Sequence, residues 1–271
     1  MSDERAIGVF DSGVGGLTVA RAIMDLLPNE PIRYVGDTAR FPYGPRPIEE
    51  IRGFALEIAE HLVSTDVKML VIACNSIEVA AIREVTDAAG VPVIGVIEPG
   101  ARAAVRATRN GNVGLIGTQA TVESGAYERA VAMERPDVRV SSVACPIFVE
   151  AVERGDTTSP ELRRAAERYL APLRDDGIDT LILGCTHYPL LSGLISYVVG
   201  PEVVLVSSAE ETAKEVYAAL VGAELERADE APPRHEFGCT GPPAAFQAVA
   251  ERFLSPEIAE VRASVVELVG G

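Results

Sequence analysis

The sequence predicts an α/β protein of two pseudo-symmetric lobes, each a parallel four-stranded sheet flanked by helices, with the active site in the cleft between them. Three observations carry this expectation. Short apolar runs alternate with stretches of helical periodicity along most of the chain. The runs of the first half recur in the second at a near-constant offset: Gly8 to Gly114 is 106 residues, and Cys74 to Cys185 and Val93 to Val204 are 111 each. Two of the repeated runs, MLVIACNS (69–76) and TLILGCTH (180–187), carry a cysteine at the same place, the C-terminal end of an apolar strand. Self-similarity over four successive strands indicates two related units. Parallel strands joined by right-handed crossovers bind ligands outside their carboxyl ends, so facing lobes would share one cleft. The expected lobes are 1–97 with 208–271, and 98–207.

Each element has its own signal. AIGVF (6–10) is an apolar strand ending at Asp11 and Ser12. GGLTVARAIMDLL (15–27) has helical spacing and is closed by Pro28. IRYVG (32–36) is the second strand, ending at Asp37, and TARFPYGPRP (38–47) is a loop rich in turn formers. IEEIRGFALEIAEHLVST (48–65) places apolar residues at i, i+3, i+4 and i+7, an amphipathic helix with a solvated charged face. The Cys74 strand leads into a helix to about Ala89, and VPVIGV (91–96) is the fourth strand.

The second half repeats the order. NVGLIG (112–117) ends at Thr118 and precedes a helix through about Met133. VRVSSVAC (138–145) runs into Pro146, RRAAERYLAPL (163–173) is helical, the Cys185 strand follows, and EVVLVS (202–207) is the last strand. The tail at 228–246 reads as a proline-rich linker with one more short strand, and FQAVAERFL (246–254) as a helix. Having no counterpart in the repeat, this tail should pack on one lobe.

Composition narrows the function classes. The chain is 48% hydrophobic and 24% charged, ordinary for a soluble globular protein. MSDERAIGVF has no signal-peptide pattern, and no apolar run approaches the ~20 residues that span a bilayer. A cytoplasmic protein with no membrane partner is expected. A net charge of −16 argues against nucleic acid as the main ligand. It leaves room for a small anion, because screening limits remote charges to about 8 Å. Lys68 and Lys214 are the only lysines, and neither adjoins a phosphate-binding loop, which argues against pyridoxal phosphate. Four cysteines without CxxC spacing and three histidines argue against a zinc cluster, so the thiols should be free and no cofactor is expected.

The duplicated thiol directs the chemistry. A helix N-terminus lowers a thiol's pKa through unpaired N–H groups, and both cysteines sit just ahead of expected helices. Asn75 or Ser76 would cap the first and Thr186 the second. Two thiols facing one carbon suit proton removal from one face and return to the other. Cys185 beside His187 also suits nucleophilic catalysis. Buried structural cysteines remain the plain alternative, which the pattern alone does not remove.

DSGVGGLTV (11–19), GDTARFPYG (36–44), IACNS (72–76) and LGCTHYPLL (183–191) closely resemble the bacterial glutamate racemases, of the aspartate/glutamate racemase superfamily. VERG (152–155) and SSAEETA (207–213) add to the match, which runs in order over most of the chain. The resemblance implies cofactor-independent interconversion of L- and D-glutamate, supplying D-glutamate for peptidoglycan. Another racemase of the superfamily, such as an aspartate racemase, is the alternative, and a non-catalytic binding protein on the same fold is a further one. Carried over by motif, Cys74 would exchange the proton of the D-enantiomer and Cys185 that of the L-enantiomer. Asp11 would assist Cys74, and His187, with Glu153 as a further assistant, would assist Cys185. Asp11, Ser12, Tyr43, Gly44, Asn75, Ser76, Thr186 and His187 would bind glutamate, with a lesser role for Thr118 or Thr121. The implied partner is the small substrate, and a homodimer is one option for assembly.

One stretch departs from the family pattern: Ile77 and Glu78 follow CNS where small residues are usual. With Asn75 as N-cap, Glu78 would complete a capping box; pointing into the cleft, it would repel a dicarboxylate. The glycines of DSGVGG fit no nucleotide loop and should let the backbone turn tightly behind Asp11. Cys239 in GCTG (238–241), Cys145, His61 and His235 are expected to be structural or surface residues.

Overall fold

The structure, a computed structural model, describes residues 3–229, 231–254 and 263–268. Parts of the expected first lobe at 1–2, 255–262 and 269–271, and residue 230 of the expected linker, lie outside these.

The first half alternates β1 (Ile7–Asp11), α1 (Leu17–Leu26), β2 (Ile32–Gly36), α2 (Ile48–Ser64), β3 (Met69–Ile72), α3 (Asn75–Ala89) and β4 (Val93–Ile94). β1 and β3 are buried at every residue, which is why they read as unbroken apolar runs rather than alternating ones. α4 (Ile97–Ala107) then leads to the second half. This comprises β5 (Asn112–Gly117), α5 (Gln119–Ser124), α6 (Ala126–Glu134), β6 (Arg139–Ala144), α7 (Pro146–Glu153), α8 (Pro160–Asp175) and β7 (Thr180–Gly184). A short 3-10 turn (Tyr188–Leu191), α9 (Ser192–Val199), β8 (Val204–Ser207) and α10 (Ser208–Gly222) follow. The tail adds β9 (Glu236–Cys239), α11 (Pro243–Phe253) and β10 (Ala263–Val265).

Two parallel sheets result, ordered β10-β9-β2-β1-β3-β4 and β6-β5-β7-β8. The 2-1-3-4 order of the first recurs as 6-5-7-8 in the second, so the sequence repeat is a repeat of topology. The first sheet has six strands rather than four because β9 pairs with the open edge of β2 and β10 pairs with β9. Apolar packing is continuous between the sheets: Ile7 and Val9 of β1 belong to the same buried cluster as Leu115 of β5 and Ile182 of β7. A second cluster, with Phe10, Leu70 and Ile72, lies on the other face of the first sheet under α2 and α3.

Several expected elements differ. The fourth strand shrinks to two residues, and α4, unread in the sequence, begins three residues later. Pro99 and Gly100 disguise it, although proline is tolerated in a first turn where no N–H partner is needed. The single helix expected to Met133 is broken at Gly125, whose φ of 63° ends α5. α7 is likewise hidden in the sequence, its eight residues being too few to show a period. Among the described residues no helix is long and apolar enough to cross a membrane.

Candidate active site

The carboxyl ends of the strands meet in a cavity of about 210 Å³ lined from both halves. Asp11 ends β1 and Ser12 follows it, Cys74 to Ser76 follow β3, Thr118 follows β5, and Cys185 to His187 follow β7. Tyr43 and Gly44 come from the loop after β2. The two thiols thus open onto one cavity from equivalent strands of the two sheets.

On the first side, Cys74 is the N-cap residue of α3, and its Sγ lies 3.6 Å from Ser12 Oγ. Burial pushes its thiol well above the ordinary range, and the Asp11 charge adds to this. The N–H groups of Ile77 and Ser12 oppose the rise without cancelling it. The helix start therefore acts in the expected direction, but desolvation outweighs it. Asp11 is fully buried, and burial raises its carboxyl against the positive charge of His187 and the N–H groups of Gly16 and Gly13. Its Oδ2 accepts from Gly13 N–H at 2.9 Å, while Oδ1 has no partner.

The expected caps are replaced by contacts across the cleft. Asn75 is the first helical residue, and its Oδ1 accepts from the Tyr127 hydroxyl at 2.8 Å; its Nδ2 is buried without a partner. Ser76 Oγ and Thr118 Oγ1 lie 2.9 Å apart. Glu78 neither closes a capping box nor enters the cavity. Its carboxylate accepts from the Val96 and Ile97 N–H groups at the start of α4, the latter at 3.0 Å. Burial raises this carboxyl to about 7, although both N–H groups work against the rise.

On the second side, the chain after Cys185 turns into the 3-10 segment with His187 as its cap residue, so Thr186 caps nothing. His187 Nδ1 lies 3.7 Å from Cys185 Sγ, and Nε2 lies 2.7 Å from Glu153 Oε1. Burial alone would lower the imidazole. The hydrogen bonds to Cys185 and Glu153, and the negative charges of the Cys185 sulfur and Asp11, reverse this and lift it to about 10. Phe41 and Phe253 pack their rings 6.0 Å from the imidazole. Gly15 admits this arrangement: a Cβ there would lie 2.4 Å from His187 Nδ1 and 2.7 Å from Thr186 Oγ1.

Asp37 holds the loop that delivers Tyr43 and Gly44. The Tyr43 hydroxyl donates to its Oδ2, Arg40 Nε donates to the same oxygen at 2.6 Å, and Thr240 Oγ1 donates to Oδ1 at 2.6 Å. The GCTG stretch of the tail is thereby a brace for the loop, while Cys239 itself is buried with its Sγ 3.3 Å from the Gly241 carbonyl.

Of the residues singled out in the sequence, Asp11, Ser12, Tyr43, Gly44, Cys74, Asn75, Ser76, Cys185, Thr186 and His187 all line the cavity, as does Thr118. Glu153 does not line it, but its carboxylate meets His187, which does. Thr121 is buried behind Thr118, their hydroxyls 3.0 Å apart. Cys145 is buried at the start of α7, its Sγ 3.7 Å from the Val143 carbonyl, away from the cavity lining. His61 lies half-buried on α2, and His235 Nδ1 accepts from Ile32 N–H at 3.2 Å. Sequence reasoning missed Phe41, Phe253 and the brace at Asp37. It also missed Val149 and Glu150, which line the cavity from α7. Asp37 carries one signal in the sequence, an acidic residue at a strand end. Among the described residues no group of three or more histidine, cysteine or acidic side chains is placed to hold a metal ion.

The sequence model of the Asp/Glu/Hydantoin racemase family matches residues 16–216. Over its whole length the chain is 55% identical to a glutamate racemase of Beutenbergia cavernae and covers 96% of that protein. The crystal structure of a glutamate racemase isoform from Bacillus anthracis matches with a TM-score of 0.92 at 42% identity, over 98% of each chain. A glutamate racemase from Francisella tularensis, crystallised in complex with D-glutamate, matches with a TM-score of 0.90 at 36% identity, again over 98% of each chain.

Proposed function

The chain belongs to the Asp/Glu/Hydantoin racemase family, and from that premise we propose that it interconverts L- and D-glutamate by two-base proton transfer through Cys74 and Cys185. The observation that carries the mechanism is the pair of thiols on one cavity, delivered by equivalent strands of a duplicated fold. The substrate follows from the relatives named above. An α-amino acid also suits the two orphaned polar atoms: Asp11 Oδ1 is an unpaired acceptor for an ammonium, and Asn75 Nδ2 an unpaired donor for a carboxylate. Hydroxyls of Ser12, Ser76, Thr118 and Thr186 line the same cavity and supply further donors.

The two half-sites divide the work. The raised pKa of Cys74 leaves a thiol there, a proton donor. His187, cationic up to about pH 10, lies against the Cys185 sulfur. In the L-to-D direction the Cys185 thiolate takes the α-proton, and the electron pair passes to the α-carbon and its carboxylate. The Cys74 thiol then returns a proton to the opposite face. The reverse direction runs with the sulfurs exchanged, and an ammonium held at Asp11 offsets the charge that opposes thiolate formation at Cys74. Removing a weakly acidic α-proton demands donors that hold the carbanion-like state more strongly than the ground state. The enclosed site, with Phe41 and Phe253 around His187, favours such preorganised contacts over bulk water. The chemistry asks for no cofactor. The D-glutamate formed would serve peptidoglycan synthesis in the cytoplasm, with residues 1–97 and 208–271 forming one lobe and 98–207 the other.

Incubation with either enantiomer in heavy water tests this. The expected result is the opposite enantiomer carrying deuterium at the α-carbon, with loss on the order of 10²- to 10⁴-fold in both Cys74→Ser and Cys185→Ser. Full racemisation by either variant would remove the two-base mechanism.

A further inference from the structure

Glu78 lies one helical turn after Cys74, its N–H donating to the Cys74 carbonyl at 2.9 Å. It is a charged-type side chain with only 6% of its surface exposed, and it is not part of the cavity. Its carboxylate reaches across to the Val96 and Ile97 N–H groups, the free donors at the N-terminus of α4. Gly95 makes room for it: a Cβ there would lie 2.4 Å from the Glu78 carboxylate. The bond spans the point where the chain leaves the first sheet at β4 and enters α4, which packs on β7 and β8 of the second sheet and on α6. The same first turn of α3 meets the second half twice more, through Asn75 with Tyr127 and Ser76 with Thr118. Of the three ties, only Glu78 places a carboxylate on the backbone N–H groups of a helix start, where it gains from both hydrogen bonds and the dipole.

We propose that Glu78 is a positioning residue for the Cys74 half-site, its carboxylate fixing the first turn of α3 against the start of α4 so that the Cys74 sulfur keeps its place relative to Cys185. The inference rests on the racemase reading and deepens it. Loss of the tie slows proton transfer at Cys74 selectively, because Cys185 directly follows β7 and is held beside His187 in the other half. A small misplacement of a reacting group costs on the order of tenfold to a hundredfold in rate.

Isotope effects separate positioning from a mere loss of folded protein. Wild type, Glu78→Ala, Glu78→Gln and Gly95→Ala would be compared with α-deuterated D- and L-glutamate, measuring kcat/KM in each direction. In Glu78→Ala the transfer at Cys74 becomes more rate-limiting, so the isotope effect with the D-enantiomer rises and that with the L-enantiomer falls, with kcat reduced and KM little changed. Glu78→Gln keeps an acceptor oxygen and restores most of the wild-type pattern. Gly95→Ala keeps Glu78 but pushes the carboxylate off the α4 N-terminus, and reproduces the Glu78→Ala pattern even if that variant folds poorly. A partial loss of folded enzyme lowers the rate and moves neither isotope effect. Wild-type isotope effects in both Glu78→Ala and Gly95→Ala, or in Gly95→Ala alone where Glu78→Ala does not fold, would overturn the proposal while leaving the racemase reading intact. Absence of racemisation by the wild type would overturn that reading, and the inference with it.

Discussion

Beside Cys74 stands a buried carboxyl, Asp11, and beside Cys185 a buried imidazole, His187, backed by Glu153. A repeat of topology has thus been filled with groups of opposite charge, which a racemase can use to hold one sulfur protonated while the other is a base. Glu153 works through His187: its charge-assisted hydrogen bond is one of the two that lift the imidazole to about 10, and glutamine keeps an acceptor without the charge. Glu153→Gln is therefore expected to move the alkaline limb of the pH–rate profile downward from about pH 10, toward the ordinary histidine range. An unmoved limb would show that Glu153 does not set the imidazole's charge. Glu78 gives a second titration. Its folded-state pKa of about 7 lies above the ordinary 4.5, so the fold favours the protonated form. That stability is fully present below pH 4.5 and is lost as pH rises through about 7. The groups coupled to it are Glu98, whose charge raises it further, and the Tyr127 hydroxyl. Relative to Glu78→Gln, wild type should lose about 3 kcal/mol across that window. Denaturant unfolding of both proteins at a series of pH values measures it, and parallel stability curves would contradict it.

Elements were legible wherever a single physical demand shaped them. β1, β3 and β7 are buried on both faces and so are plainly apolar, and α2 buries one stripe that includes Ile51, Ala55, Ile58 and Leu62. α4 was not legible because Pro99 and Gly100 sit in its first turn, and its start is stabilised from outside by a residue 18 positions earlier. Asn75 looked like a cap by composition, but a side chain already claimed by Tyr127 cannot serve the local backbone. The thiols, Asp11 and the loop carrying Tyr43 could be read because strand ends fix their place. Phe253 and Thr240 could not, since the tail's docking depends on contacts spanning some 200 residues. Thr240→Val removes a hydrogen bond to the buried carboxylate of Asp37 and another to Ala39 N–H. The loop's order should suffer: KM for glutamate rises several-fold and stability falls by about 2 kcal/mol. Steady-state kinetics and thermal unfolding check this, and an unchanged KM would confine the brace to stability alone.

At the scale of the molecule, duplication explains why the site lies where it does. Parallel strands gather their functional residues at carboxyl ends, and two such sheets sharing a continuous apolar core turn those ends toward a common cavity. The second sheet keeps the four-strand pattern, while the first is widened by β9 and β10. The added tail is not passive, since it brings Phe253 to His187 and Thr240 to Asp37. The two halves are tied near the site by the α3 contacts with Thr118, Tyr127 and the start of α4, all within one turn of Cys74.

The most direct test of the central claim is a crystal structure of this protein with glutamate bound. The two-base account predicts the α-carbon between the Cys74 and Cys185 sulfurs, one on each face, both within about 4 Å, with the ammonium on Asp11. Both sulfurs on one face of the α-carbon, or either one well beyond that reach in a closed complex, would contradict it.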